Sequence, residues 1–202
     1  MHSRRCSTSS ASKCCSAGRL LGAVVAFQAS VVLLWIYSER IGVASGVTPA
    51  EIGVAIALGT LGGLPASLLG SLASDRIGHL WIVLLATLCV IVGSVLIFQA
   101  SGVMGYTCGQ FVFNFGWMLG VSYYLGMLAQ DDTGGRLIRL APTGLVIAAG
   151  IGPLYVALWT RTQNATPILA LSITLCVGAY VLAVWRRSWR TSVGESPNAR
   201  AR

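Results

Sequence analysis

Six long apolar stretches follow one another along this chain, separated by short polar breaks: Leu20–Gly42, Ala50–Ala73, Leu80–Gln99, Gly102–Ala129, Leu137–Trp159 and Thr166–Val184. A helix that crosses the hydrocarbon core of a bilayer needs about 20 consecutive apolar residues, and each stretch is of that order. The pattern predicts an all-α, polytopic membrane protein. Its six-helix transmembrane domain would span 20–187, between a basic, Ser-rich cytosolic tail at 1–19 and a second cytosolic tail at 188–202.

Composition agrees. Hydrophobic residues make up 55% of the 202 residues and charged residues only 10%, whereas soluble domains carry about 25% charge. With a mean hydropathy of +0.75, a water-soluble core of this length could not hide so much apolar surface. The net charge of +8 would suit a nucleic-acid ligand were it not for its placement. Of the 14 basic residues, Arg4, Arg5, Lys13, Arg19, Arg76, Arg136, Arg139, Arg186, Arg187, Arg190, Arg200 and Arg202 fall on one side of the spans, leaving Arg40 and Arg161 on the other. The positive-inside rule then puts both termini in the cytosol of a cell (inner) membrane, and the expected partner is the lipid bilayer, with no nucleic acid. Trp185 and Trp189 mark the cytosolic interface of the last span, with Arg186, Arg187 and Arg190 beyond it.

The breaks carry helix-start chemistry. In Thr48-Pro49-Ala50-Glu51 the threonine can cap, the proline fits the first helical position and the glutamate can close a capping box. Thr166-Pro167 repeats the first two elements. Two cytosolic turns follow from the topology: Ser74-Asp75-Arg76-Ile77-Gly78-His79, and the glycine-rich loop from Gln130 through Asp131, Asp132, Gly134 and Gly135 to Arg136. The cysteines show no CxxC or paired spacing, so the intramembrane Cys89, Cys108 and Cys176 read as small apolar fillers. No metal or other cofactor is expected.

A faint repeat links the first three spans with the last three. Gln28 and Trp35 have the spacing of Gln110 and Trp117, and Gly62-Gly63-Leu64-Pro65 echoes Gly150-Ile151-Gly152-Pro153. Units of three spans must be inverted relative to each other, which is the design of secondary transporters. Polar residues inside spans are costly and face cavities or neighbouring helices. Gln28, Trp35 and Glu39 share one face of span one, while Gln110, Asn114, Trp117 and Tyr124 share one of span four. These seven residues are the candidates to line a cleft for a small solute, although Gln110 and Asn114 would serve equally as interhelical hydrogen-bond partners. Glu39 is either a proton carrier or the outer end-marker of span one. Pro65 and Pro153, set among small residues, are candidate helix hinges. Enzyme signatures are lacking, since no His or Lys lies in any span and neither HExxH nor a P-loop occurs.

The turn after span two resembles the signature Gly-x-x-x-Asp-Arg-x-Gly-Arg-Lys of the major facilitator superfamily (MFS), matched at Asp75, Arg76 and Gly78. Ser71 stands where the first glycine belongs, and His79-Leu80 replace the basic pair. The run Leu34-Trp35, Glu39-Arg40-Ile41-Gly42 and Gly46-Val47-Thr48-Pro49 is similar to the start of the family's carboxyl-terminal half. The resemblance implies half of an MFS fold, a six-helix bundle of two inverted three-helix repeats working by alternating access. It makes Asp75, Arg76 and Gly78 part of a conformational latch. The family's full unit has twelve helices, so this half-length chain is expected to form a homodimer, to pair with a second six-helix half, or to be a truncated, non-transporting fragment that binds or modulates partner helices.

Overall fold

The computed structural model describes residues 6–73, 78–132, 134–159 and 166–194, with side chains described within 18–72, 78–132, 134–154 and 166–185. Among these residues every element is an α-helix: α1 (Cys6–Ala44), α2 (Pro49–Thr60), α3 (Gly63–Ala73), α4 (His79–Phe98), α5 (Val103–Asp131), α6 (Arg136–Trp159) and α7 (Thr166–Gly194). Six segments are long and apolar enough to cross a membrane: Gly18–Ala44, Pro49–Leu72, His79–Phe98, Val103–Asp131, Arg136–Leu154 and Thr166–Trp185. The chain is thus a multi-pass membrane protein, with its spans close to where hydropathy puts them.

Local chemistry sets the helix ends. At the end of α1, Gly46 takes φ 79°, and its N–H donates to the Val43 carbonyl at 3.0 Å while Val47 N–H donates to Gly42 at 3.1 Å. This pair of bonds is a Schellman cap, with Val47 buried beside Ile41 as that motif favours. The capping box then starts α2 as its sequence predicts: Thr48 N–H donates to Glu51 Oε2 at 3.0 Å and Glu51 N–H to Thr48 Oγ1 at 3.4 Å. Before α6, Asp132 Oδ2 accepts from Leu137 N–H at 2.6 Å and Ile138 N–H at 2.9 Å. These bonds, led by that from Ile138, hold the Asp132 carboxyl below its ordinary range.

Three features differ from the sequence reading. First, α1 begins at Cys6, so helix continues through residues 6–19, where the basic, Ser-rich composition suggests a tail outside the first span. Propagating an already nucleated helix is far easier than starting one, and this Ser- and Ala-rich segment has no proline to stop it. Secondly, span two is broken into α2 and α3 at Leu61-Gly62. There the bonding tightens to Leu61 N–H on Leu58, Gly62 N–H on Gly59 and Leu64 N–H on Leu61, at 3.0–3.1 Å. Pro65, the third residue of α3, has no N–H for the Leu61 carbonyl, which Leu64 takes instead. Thirdly, α6 holds Pro142 as well as the expected Pro153.

Two helices organise the packing. α5 lies against α4, α2 and α3, while α1 lies against α6 and α7; α1 and α5 pack on each other, and α4 meets α7 behind them. α4 and α5 approach closely because Gly93, Gly109 and Gly116 put backbone against backbone.

Candidate functional site

The side chains that could meet a solute gather where α1 crosses α5. On α1, Leu21 and Val25 pack beside Gly144 of α6, Leu33 beside Gly152, and Phe27 beside Gly120 of α5. Gln28 and Trp35 lie on the helix face between those two contacts, and both are only half-buried. Trp117 of α5 reaches them from the other side. Its indole N–H donates to Gln28 Oε1 at 3.2 Å, and its ring lies 5.6 Å from that of Trp35 at 58°. Phe113 supports Trp117 at 6.3 Å between centroids. An amide and two indoles from the two central helices thus form one seam, flanked by α2 and α3 on one side and α6 on the other.

The other candidates on α5 lie deeper. Gln110 is 0% exposed, Asn114 2% and Tyr124 0%, so they sit within the packing and line no open cleft. Gln110 Nε2 donates to the Tyr106 hydroxyl at 3.0 Å, which donates to the Ser38 carbonyl of α1 at 2.9 Å. Asn114 Nδ2 donates to the Gln110 carbonyl at 2.8 Å. The Gln110 Oε1 acceptor is buried without a partner. Tyr124 stacks 5.1 Å from Phe27 on the rear of the seam, where its hydroxyl faces Thr87 and Cys176 without a well-formed bond to either. Ser172 of α7 closes that rear side by donating to the Ser30 carbonyl at 2.8 Å.

No protein-family model, curated protein or solved structure matches this chain.

Glu39 is exposed near the C-terminal end of α1, one turn beyond Trp35, and the structure gives it no buried setting. Gly78 precedes α4 and is exposed, while Asp75 and Arg76 lie outside the described residues. Pro65 stands just after the break in span two, and Pro153 lies near the described end of α6. Among the described residues no cluster of three or more His, Cys, Asp or Glu side chains could hold a metal ion.

Sequence reasoning passed over Tyr106, Ser30, Ser38, Thr87 and Ser172, all of them buried. The hydroxyls of Ser30, Ser38 and Thr87 donate to carbonyls of their own helix, which satisfies them inside a span, and residues so near neutral in hydropathy barely mark the profile. Asp131, read as part of a loop, is instead the last residue of α5 and is buried. A helical reading of Leu128 to Asp131 would have found it, since Asp131 lies about one turn beyond the buried Met127 and Leu128.

Proposed function

We propose that this chain is a half-length unit of an MFS-type secondary transporter, moving a small solute across the cell membrane by alternating access with both termini in the cytosol. The observation that carries the reading is the half-open seam of Gln28, Trp35 and Trp117, in which polar and aromatic side chains of the two central helices meet at membrane depth and remain accessible. An amide placed there for packing alone would be enclosed, as Gln110 is.

The order of helix contacts supports a two-repeat origin. Exchange span one with four, two with five and three with six. The contacts of α1 with α6 and α7 then become those of α5 with α2, α3 and α4, while α1–α5 and α4–α7 return to themselves. Hinge chemistry falls at matching places, with Pro65 in the second span and Pro153 in the fifth. Span five is only 17% buried, leaving its outer face for lipid or a second six-helix half.

The test has two stages. The particle is isolated in native nanodiscs, and its mass and every protein in it are determined. A homodimer, or a complex with another six-span chain, supports a complete cavity. That particle is then reconstituted and screened for solute uptake with and without an imposed pH gradient. A lone monomer with no uptake above that of empty vesicles overturns the transporter reading and leaves that of a fragment acting on partner helices. Glu39→Gln separates the two roles of the carboxylate: loss of pH-driven uptake makes it the proton carrier, and unchanged uptake removes it from coupling.

A further inference from the structure

The C-terminal end of α1 carries two opposite charges at a depth that the helix itself fixes. Towards the other end of the span, the Arg19 guanidinium lies 5.6 Å over the ring of Trp185, and arginine and tryptophan together are typical of a membrane boundary. Twenty residues of α1 separate Arg19 from Glu39. At 1.5 Å each they cover about 30 Å, the thickness of the hydrocarbon core. Glu39 and Arg40 therefore stand where the opposite headgroup layer begins.

This face of α1 is open to its surroundings. Ile36, Glu39, Arg40 and Val43 follow at helical spacing and all are exposed. With Val43 and Ala44, the two charged residues line an open groove of about 570 Å³, and Ile36 adds an apolar surface one turn closer to the membrane centre. Arg40 packs over the ring of the buried Tyr37 at 5.7 Å, a contact that steadies the guanidinium without using its N–H donors. Among the described residues, neither Glu39 nor Arg40 is engaged in an ion pair.

A carboxylate and a guanidinium on consecutive residues select among headgroups. An anionic lipid meets attraction from Arg40 and repulsion from Glu39. A phosphocholine can accept from Arg40 but has no N–H to give Glu39. A phosphoethanolamine answers both, because its phosphate accepts from the guanidinium and its primary ammonium donates to the carboxylate.

We propose that this groove is a lipid site for a phosphoethanolamine headgroup, its phosphate on Arg40, its ammonium on Glu39 and its acyl chains running along Ile36. The inference rests on the spans alone and stands whether or not the chain transports a solute.

The test uses the full chain, with any subunit that co-purifies, delipidated and titrated with single lipids under native mass spectrometry. Phosphatidylethanolamine, phosphatidylcholine and phosphatidylglycerol of identical acyl chains are compared. One exposed ion pair should make the ethanolamine lipid bind about 3- to 5-fold tighter than the choline lipid. The mono- and dimethylated ethanolamine lipids, which lose N–H donors one at a time, should fall between them in a series that needs no variant. Glu39→Gln should reduce the ethanolamine lipid to the level of the choline lipid, and Arg40→Gln should weaken both alike. Both residues are exposed, so each variant should melt close to wild type in nanodiscs of phosphatidylcholine. Equal binding across the methylation series overturns the proposal, as does tightest binding of phosphatidylglycerol or a preference that survives Glu39→Gln. Soluble glycerophosphoethanolamine should compete only at far higher concentration. If it binds as tightly as the lipid, the groove serves a free zwitterion and the lipid assignment falls.

Discussion

Gly93 offers a sharp test of the packing that holds the two central helices in place. A Cβ added there would lie 2.5 Å from the Phe113 backbone nitrogen, 2.7 Å from its Cα and 2.8 Å from its Cβ. Ordinary contacts between carbons fall at about 3.5–4.0 Å, so Gly93→Ala requires α4 and α5 to part by roughly 1 Å. A local tilt does not relieve the clash without loss elsewhere. Gly109 and Gly116 bring the same helices together on either side, where a Cβ would come within 2.8 Å of Ile97 N and 2.7 Å of Val90 N. Overpacking costs about 1–3 kcal/mol, and backbone obstacles put this site at the upper end. The better helix propensity of alanine offsets up to about 1 kcal/mol, leaving a net loss of about 2 kcal/mol. For a chain of this size that lowers the melting temperature by about 4–8 °C. Gly126 has no atom within 4 Å of a built Cβ and supplies the control. Gly126→Ala should keep the propensity gain alone and melt at or slightly above wild type. Thermal melts followed by fluorescence-detected size exclusion in nanodiscs decide the matter. If Gly93→Ala and Gly126→Ala melt together, α4 and α5 are not apposed at Gly93 and the close-packing argument fails.

Further outcomes follow from single contacts. Tyr106→Phe removes the hydroxyl that joins Gln110 to the Ser38 carbonyl; stranding buried polar groups costs about 1–3 kcal/mol, so the variant should melt several degrees lower, and an unchanged melt would sink that role. Asp132→Ala should destabilise α6 at neutral pH, because the native carboxylate accepts the Leu137 and Ile138 N–H groups. Since those bonds lower the native pKa, the contribution is present above the unfolded value near about 4 and is lost as pH falls through the native one. The two melting curves should therefore converge in acid, and a gap that persists undiminished counts against the cap. With native cysteines replaced by serine, Gln28→Cys should react with a charged, membrane-impermeant thiol reagent, whereas Ser30→Cys, two residues away on the enclosed side, should not; equal labelling would refute a one-sided seam.

The spans were legible because hydropathy over 20 or so residues averages out local detail, and the Thr48–Glu51 box was legible because its chemistry is contained in four consecutive residues. Burial was only half legible. Periodicity placed Gln28 and Trp35 on one face of α1, and Gln110, Asn114, Trp117 and Tyr124 on one stripe of α5. Yet a stripe specifies a direction only relative to its own helix. The crossing of α1 over α5 decides that Trp117 emerges beside Trp35 while Tyr124 turns toward Phe27. An ideal helix also drifts about 20° per heptad, so residues seven apart need not share an environment. Tyr106 and Ser172 were invisible for a related reason, since their partners, Ser38 and Ser30, lie on another helix.

The asymmetry of the seam ties these observations to a mechanism. Behind it, Ser30, Thr87, Tyr124, Ser172 and Cys176 bring α1, α4, α5 and α7 into one buried cluster. Opening that side would break the Ser172–Ser30 bond and strand the Ser172 hydroxyl in an apolar medium, at a penalty of about 1–3 kcal/mol. In front, α2, α3 and α6 meet α1 and α5 largely through glycines: Gly59, Gly62 and Gly63 against α5, and Gly144 and Gly152 against α1. Glycine side contacts add little directional bonding of their own, although the Tyr123 hydroxyl of α5 donates to the Gly70 carbonyl of α3 at 3.0 Å. Pro65 and Pro153 lie within these same front helices. α1, α4, α5 and α7 therefore share one buried cluster, and the glycine- and proline-bearing α2, α3 and α6 pack outside it. On the transporter proposal, a cycle that rocks the front helices across the seam would have to keep Gln28, Trp35 and Trp117 together throughout, as a solute site reached alternately from either side requires.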